Sequence, residues 1–207
     1  MHELSRISAT GTLERYGDRE ALLRTFHVSE QSRHAAYPMR CVTGTAPSLA
    51  TVNEAYGKGT AEEWLTFQIV EFGELVGARD KLTPFQVKHL CRMILEDYAW
   101  LKLTDLELFL HHMKRGDYGR FYGTVDPQVF MQCFPMFLRD RNDILHEYYT
   151  EQERARIETE KAEAVTWEEY KAKHPDEGDE ENPLIRAQAH LENMKKYTKQ
   201  PLSKSET

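Results

Sequence analysis

Ten consecutive residues, Lys114 to Gly123 in the run KRGDYGRFYG, hold three basic side chains, three aromatic rings and three glycines. Ammonium and guanidinium groups neutralise phosphates, and flat rings stack on bases or sugars, so this mixture suits a surface that follows a nucleic-acid backbone. Lys114, Arg115 and Arg120 are the candidate phosphate contacts, Tyr118 and Tyr122 are the candidate stacking groups, and Arg139 is a candidate extension of the same basic face. A purely structural account competes at the same residues. Gly116 suits the left-handed position that follows a helix C-terminus. Gly119 and Gly123 can simply turn the chain towards Asp126, Phe121 or Tyr122 can plug a helical bundle, and Asp117 and Asp126 weaken the local positive field.

Other chemistry finds less support. The glycines match neither GxxxxGK[ST] nor GxGxxG and follow no strand pattern, which argues against a phosphate loop or a dinucleotide fold. His111 and His112 are adjacent, so a helix points them about 100° apart, and His146 and Glu147 are followed by two tyrosines and not by the second histidine of HExxH. Cys41, Cys91 and Cys133 are far apart and odd in number, a pattern of buried thiols and not of a disulfide framework or zinc site. No GxSxG elbow is present. The carboxylate pairs Glu62–Glu63 and Glu96–Asp97 are neighbours in sequence, not facing groups, and read as solvated helix surface. These observations assign no catalytic residue, metal or cofactor and argue against an enzyme. The RGD at 115–117 reads as coincidence.

Helices must position the basic run. In LTPFQV, Thr83 is a candidate N-cap, Pro84 a first helical residue and Gln86 the capping-box partner. LTDLEL repeats the device with Thr104 and Glu107, TAEEW with Thr60 and Glu63, and VDPQV starts a further helix with Asp126 and Pro127. Apolar residues follow each start at helical spacing: Trp64, Leu65, Phe67, Ile69, Phe72, Leu75 and Val76; then Val87, Leu90, Cys91, Ile94, Leu95 and Tyr98. Leu106, Phe109, Leu110 and Met113 form the third set, and Val129, Phe130, Cys133, Phe134, Phe137 and Leu138 the fourth. A shorter helix is expected from Ser48 to Tyr56, closed by Gly57. The predicted fold is all-α, a bundle of about four to five helices over residues 47–149.

The flanks read differently. Residues 1–46 form an arm with one short helix near Asp18 to Phe26 and then a polar loop. Residues 150–207 begin as a charged helical extension with pairs such as Arg154–Glu158 and Arg156–Glu160, cross the acidic linker HPDEGDEENP, and end in an amphipathic stretch from Pro183 to Tyr197 that suits a protein partner. The 207 residues carry a formal charge of -7. Residues 151–207 contain fourteen Asp and Glu against ten Lys and Arg, or -4, which leaves -3 for residues 1–150 and room for a local basic surface. No apolar run reaches the roughly 18 residues of a membrane span, and the first residues lack a secretory apolar core, so a cytoplasmic protein without a membrane partner is expected.

The run from PSLATVNEAYGKGTAEEW to LELFLHHMKRGDYGRFYGTVDP and on to MFLRDRN, residues 47–142, resembles an uncharacterised family of small helical proteins from bacterial genomes, prophages and mobile elements. Its marker is K-R-G-x-Y-G-x-F-Y-G-x-V-D-P, in which a helix ends in a basic Gly-Tyr-Gly turn and Asp-Pro starts the next. The resemblance implies no assigned activity. Its setting implies an accessory role in DNA replication or maintenance, comparable at its most specific to a helicase loader. A protein-interaction adaptor with no nucleic-acid role is the alternative.

Overall fold

The computed structural model describes residues 7–76, 81–119, 125–164, 167–173, 187–188 and 190–191, and among these the chain is helical with no strand. In chain order the elements are α1 (Ala9–Tyr16), α2 (Arg19–Thr25), a 3-10 turn (Val28–Glu30), α3 (Gln31–Ala35), α4 (Pro38–Thr43), α5 (Leu49–Tyr56), α6 (Thr60–Leu75), α7 (Pro84–Tyr98), α8 (Leu103–Arg115), α9 (Pro127–Glu163) and α10 (Trp167–Lys173). Two units part between Gln152 and Glu153.

Several helix starts follow the expected chemistry. Thr83 accepts the Gln86 N–H while the Gln86 side chain accepts the Thr83 N–H, a complete capping box with Pro84 at the first helical position. Asp126 accepts the Gln128 N–H at 2.7 Å, and Ser48 caps α5 before Gly57 closes it. Two starts differ. α6 is preceded by Gly59 at φ 95°, and its first turn is served by Asn53, whose side-chain oxygen accepts the Ala61 N–H at 3.0 Å. The Thr60 hydroxyl instead donates back to Tyr56 O. α8 begins earlier than expected, because Asp105 and not Glu107 caps it, by accepting the Lys102 N–H at 3.1 Å. Thr104 is thereby released to donate to Cys41 O at 2.8 Å.

The stretch 27–46, expected to be a polar loop, is largely helical. Helices this short do not persist alone, so packing must hold them. Leu22, Phe26, Val28, Ala35, Cys41 and Val42 are all buried, α3 lies along α8, and α4 rests on α8 as well. The interior of the first unit therefore begins well before residue 47. Its centre is aromatic: Phe109 of α8 meets Phe130, Phe134 and Phe137 of α9 with ring centroids 4.2 to 5.6 Å apart, and Tyr98 of α7 stacks on Phe134 at 4.3 Å. Burying each such ring contributes about 1.5–3 kcal/mol. On α6 the buried face is Trp64, Leu65, Gln68, Ile69 and Phe72, whereas Phe67 and Leu75, expected inside, are about 60% exposed.

In the second unit the described part of α9 is exposed along its length, and Arg156 pairs with Glu153 and Glu160. No helix among the described residues is long and apolar enough to cross a membrane.

Candidate nucleic-acid interface

The basic turn opens with a helix ending. Gly116 sits at φ 81° and ψ 19°, its N–H reaching Met113 O while the Asp117 N–H reaches His112 O, the paired bonds that close a helix with a left-handed residue. A Cβ is costly at such an angle, which accounts for the glycine. Gly119 follows at φ 106°.

The candidate contacts then separate into inward and outward groups. Lys114 is half-buried, and its Nζ donates to Gln31 Oε1 at 2.7 Å; Gln31 Nε2 donates to Gln68 Oε1 at 2.6 Å, and Gln68 Nε2 to Phe26 O at 3.0 Å. This relay ties α8 through α3 to α6, and burial lowers the Lys114 pKa. Tyr118 also serves the interior. Its ring lies nearly parallel to Phe109 and His112, at 6.1 and 5.9 Å, and its hydroxyl donates to Asp140 Oδ2 at 2.8 Å. Burial, then the Asp140 carboxylate, pushes the phenol pKa up. Both residues were expected to face a ligand; Lys114 is bonded to the buried Gln31 and Tyr118 to the exposed Asp140.

Arg115 and Arg139 are exposed. Arg115 lies 3.7 Å from Asp117 with both groups in contact with solvent, an arrangement worth little and easily exchanged. Arg120 and Tyr122 lie outside the described residues, as do Phe121 and Gly123.

A second collection of charge, unmarked by any motif, runs along the first half of α8. Asp105 and Glu107 are both fully buried. Asp105 Oδ1 is 3.2 Å from Arg141 Nε, and Arg141 is only 7% exposed and lies over the Trp100 ring at 5.2 Å. Lys102 Nζ donates to Gly44 O at 2.8 Å and to Val42 O. Glu107 Oε2 meets His34 Nδ1 of α3 at 2.6 Å.

Burial raises the pKa of Asp105 against the pull of Arg141 and Lys102, and raises that of Glu107 against the pull of His34. The hydrogen bond to Glu107 raises the pKa of His34. Among the described residues, Glu107 Oε1, Asp105 Oδ1 and Arg141 Nε have no hydrogen bond of good geometry. Each is a cost the fold absorbs.

Beside them, the Cys41 thiol is pushed up to about 12 by burial and then by Glu107 and Asp105, so it stays protonated and unreactive at neutral pH. No group of three or more His, Cys, Asp or Glu among the described residues is placed to hold a metal ion. The collection has the chemistry of a clasp between α8 and the N-terminal helices. One signal could have found it: LTDLELFL is apolar on every side, and a helix apolar all round is buried, with its carboxylates.

Residues 81–179 match the model of a family of unknown function, DUF6633. The matched segment takes in α7, α8, the turn and α9, and so both the basic residues and the Asp105–Arg141 pair, but not His34 or Cys41. No curated protein and no solved structure matches the chain.

Proposed function

We propose that this chain is a non-enzymatic, cytoplasmic accessory protein that contacts nucleic-acid phosphates around its α8–α9 turn, through Arg115 at the end of α8 and Arg139 on α9, joined by Arg120. The observation that carries this reading is the way the turn is held. Eleven residues, 116–126, connect α8 to α9, where helix connections in bundles use about two to eight. The connection is pinned at its first end by the Gly116 closure and the Tyr118 contacts with Phe109, His112 and Asp140, and at its second by the Asp126 cap. Arg115 at the end of α8 and Arg139 on α9 border these fixed shoulders, so both are presented from ordered helices at low entropic cost, which is what a binding surface requires. The prophage and mobile-element setting of the resembling family favours a role in DNA replication or maintenance, with the C-terminal region engaging a protein partner.

The adaptor reading draws on a different observation, the inward use of Lys114 and Tyr118 with acidic Asp117, Asp126 and Asp140 close by. Fluorescence anisotropy of labelled single- and double-stranded DNA and RNA across a salt series separates the two. The nucleic-acid reading predicts salt-sensitive binding, with Arg115→Ala plus Arg139→Ala reducing the slope of log K against log salt by about one to two. An unchanged variant, or a wild type that binds nothing at low salt, leaves the adaptor.

A further inference from the structure

On the opposite business of protein contact, the first unit carries a surface on α6 and the α2 region. Glu63, Phe67, Val70 and Glu74 of α6 follow at intervals of four, three and four residues, which places them in one stripe about 16 Å long. Its centre is apolar and exposed, Phe67 by 60% and Val70 by 48%, and its ends are carboxylates. α6 contains four glutamates and no basic residue. Beside the stripe is a mainly apolar cavity of about 130 Å³, walled by Leu23 and Phe26 of the α2 region, Val28, Trp64 and Phe67, with His27 and Gln68 as its polar members. Apolar cavities of roughly that size accept a benzene ring, so a leucine or phenylalanine side chain fits. Leu23 also borders a shallow depression lined by Asp18, Arg19, Glu20 and Glu63, three carboxylates against one guanidinium.

We propose that α2 and α6 form a docking groove for a basic amphipathic helix of another protein, which seats one apolar anchor in the cavity and sets Lys or Arg near Glu63 and Glu74. Charge decides the occupant. An acidic helix or an anionic membrane would be repelled by α6, whereas a cationic helix finds carboxylates at both ends and an apolar centre between them. Glu63 is paired with Arg19 and Glu74 with Lys81, but all four side chains are well exposed, so those contacts are weak and a partner's cations can replace them. An exposed aromatic next to an unfilled cavity is the arrangement in which a few residues dominate binding.

The test uses the full chain as bait for a phage-displayed library of random peptides, followed by titration of the recovered peptides as synthetic products. The groove predicts recovered sequences with a shared apolar anchor flanked by Lys or Arg, affinity lowered roughly tenfold or more by Phe67→Ala, and a smaller, salt-dependent loss from Glu63→Lys with Glu74→Lys. Because Phe67 and Val70 face solvent, Phe67→Ala and Val70→Asp should fold, which circular dichroism checks. Recovery of no specific peptide, recovery of acidic peptides, or equal binding by the Phe67→Ala protein overturns the proposal. So does a dimer of the full chain that Val70→Asp dissociates, since the occupant would then be a second copy. The nucleic-acid titration depends on none of these residues, and the two readings fail separately.

Discussion

At its start α8, with Lys102 just before it, draws a cation and two carboxylates in from water, whereas at its end Arg115 turns a guanidinium group towards it. Both stretches are rich in charge, and they differ in what surrounds it. The first lies among Leu103, Leu106, Leu108 and Leu110, all buried, so each ionised group needs a partner: Arg141 for Asp105, His34 for Glu107, backbone carbonyls for Lys102. The second follows a helix terminus, where solvent satisfies whatever the fold leaves unpaired. Composition alone does not separate a clasp from a contact surface; the neighbouring residues do.

The comparison breaks most readily at Asp105. Replacing it with alanine strands Arg141 in the interior, and breaking a buried pair in this way costs about 3–5 kcal/mol. Urea unfolding should show the full loss, and Asp105→Leu with Arg141→Met should recover much of it, because a fitting apolar pair avoids the desolvation cost.

The His34–Glu107 pair sharpens it by pH. His34 has a raised pKa through its bond to Glu107, and Glu107 a raised pKa through burial, so the folded pair holds a proton that the unfolded chain, with histidine near 6.5, releases. The part carried by His34 is complete below about pH 6.5 and declines as pH rises through its folded value, and the raised Glu107 adds a decline of the same sign that begins at lower pH. Glu30 and Arg33, the charges facing the pair from α3 and the turn before it, are paired with each other and act on His34 in opposite directions. Unfolding followed from pH 6 to 9 should show stability falling. His34→Gln should flatten that slope and cost about 1–3 kcal/mol near pH 6.

A smaller effect belongs to Tyr118. Tyr118→Phe keeps the ring against Phe109 and loses the hydroxyl's bond to Asp140 and its longer contact with His112 Nδ1, a change of about 1 kcal/mol in unfolding free energy, and it should loosen one shoulder of the turn and weaken nucleic-acid binding less than loss of the arginines. Smallest of all in stability is Arg115→Ala with Arg139→Ala, within about 0.5 kcal/mol of wild type, and its effect should appear in binding alone.

The helical class and several helix starts were legible in the sequence because they depend on local chemistry: Thr83 with Gln86, Ser48, Asp126 and the closing Gly116 each act within a few residues. What lay outside its reach was decided across the fold. The stretch 27–46 looks like a loop because its apolar residues are sparse, and it is helical because α8 and α6 supply the missing partners. Glu107 has the spacing of a capping residue, yet α3 places His34 against it. Lys114 and Tyr118 carry the residue types of a binding site, but Gln31 and Asp140, far along the chain, claim their polar atoms. Arg115 and Arg139 are exposed, and among the described residues no distant group is paired with them.

The division between clasp and contact surface is tested most directly by the urea midpoints of Asp105→Ala and of Arg115→Ala with Arg139→Ala, measured side by side with wild type at neutral pH. The account predicts a large fall for the first and an unchanged midpoint for the second. Equal midpoints, or a fall confined to the arginine variant, would contradict it.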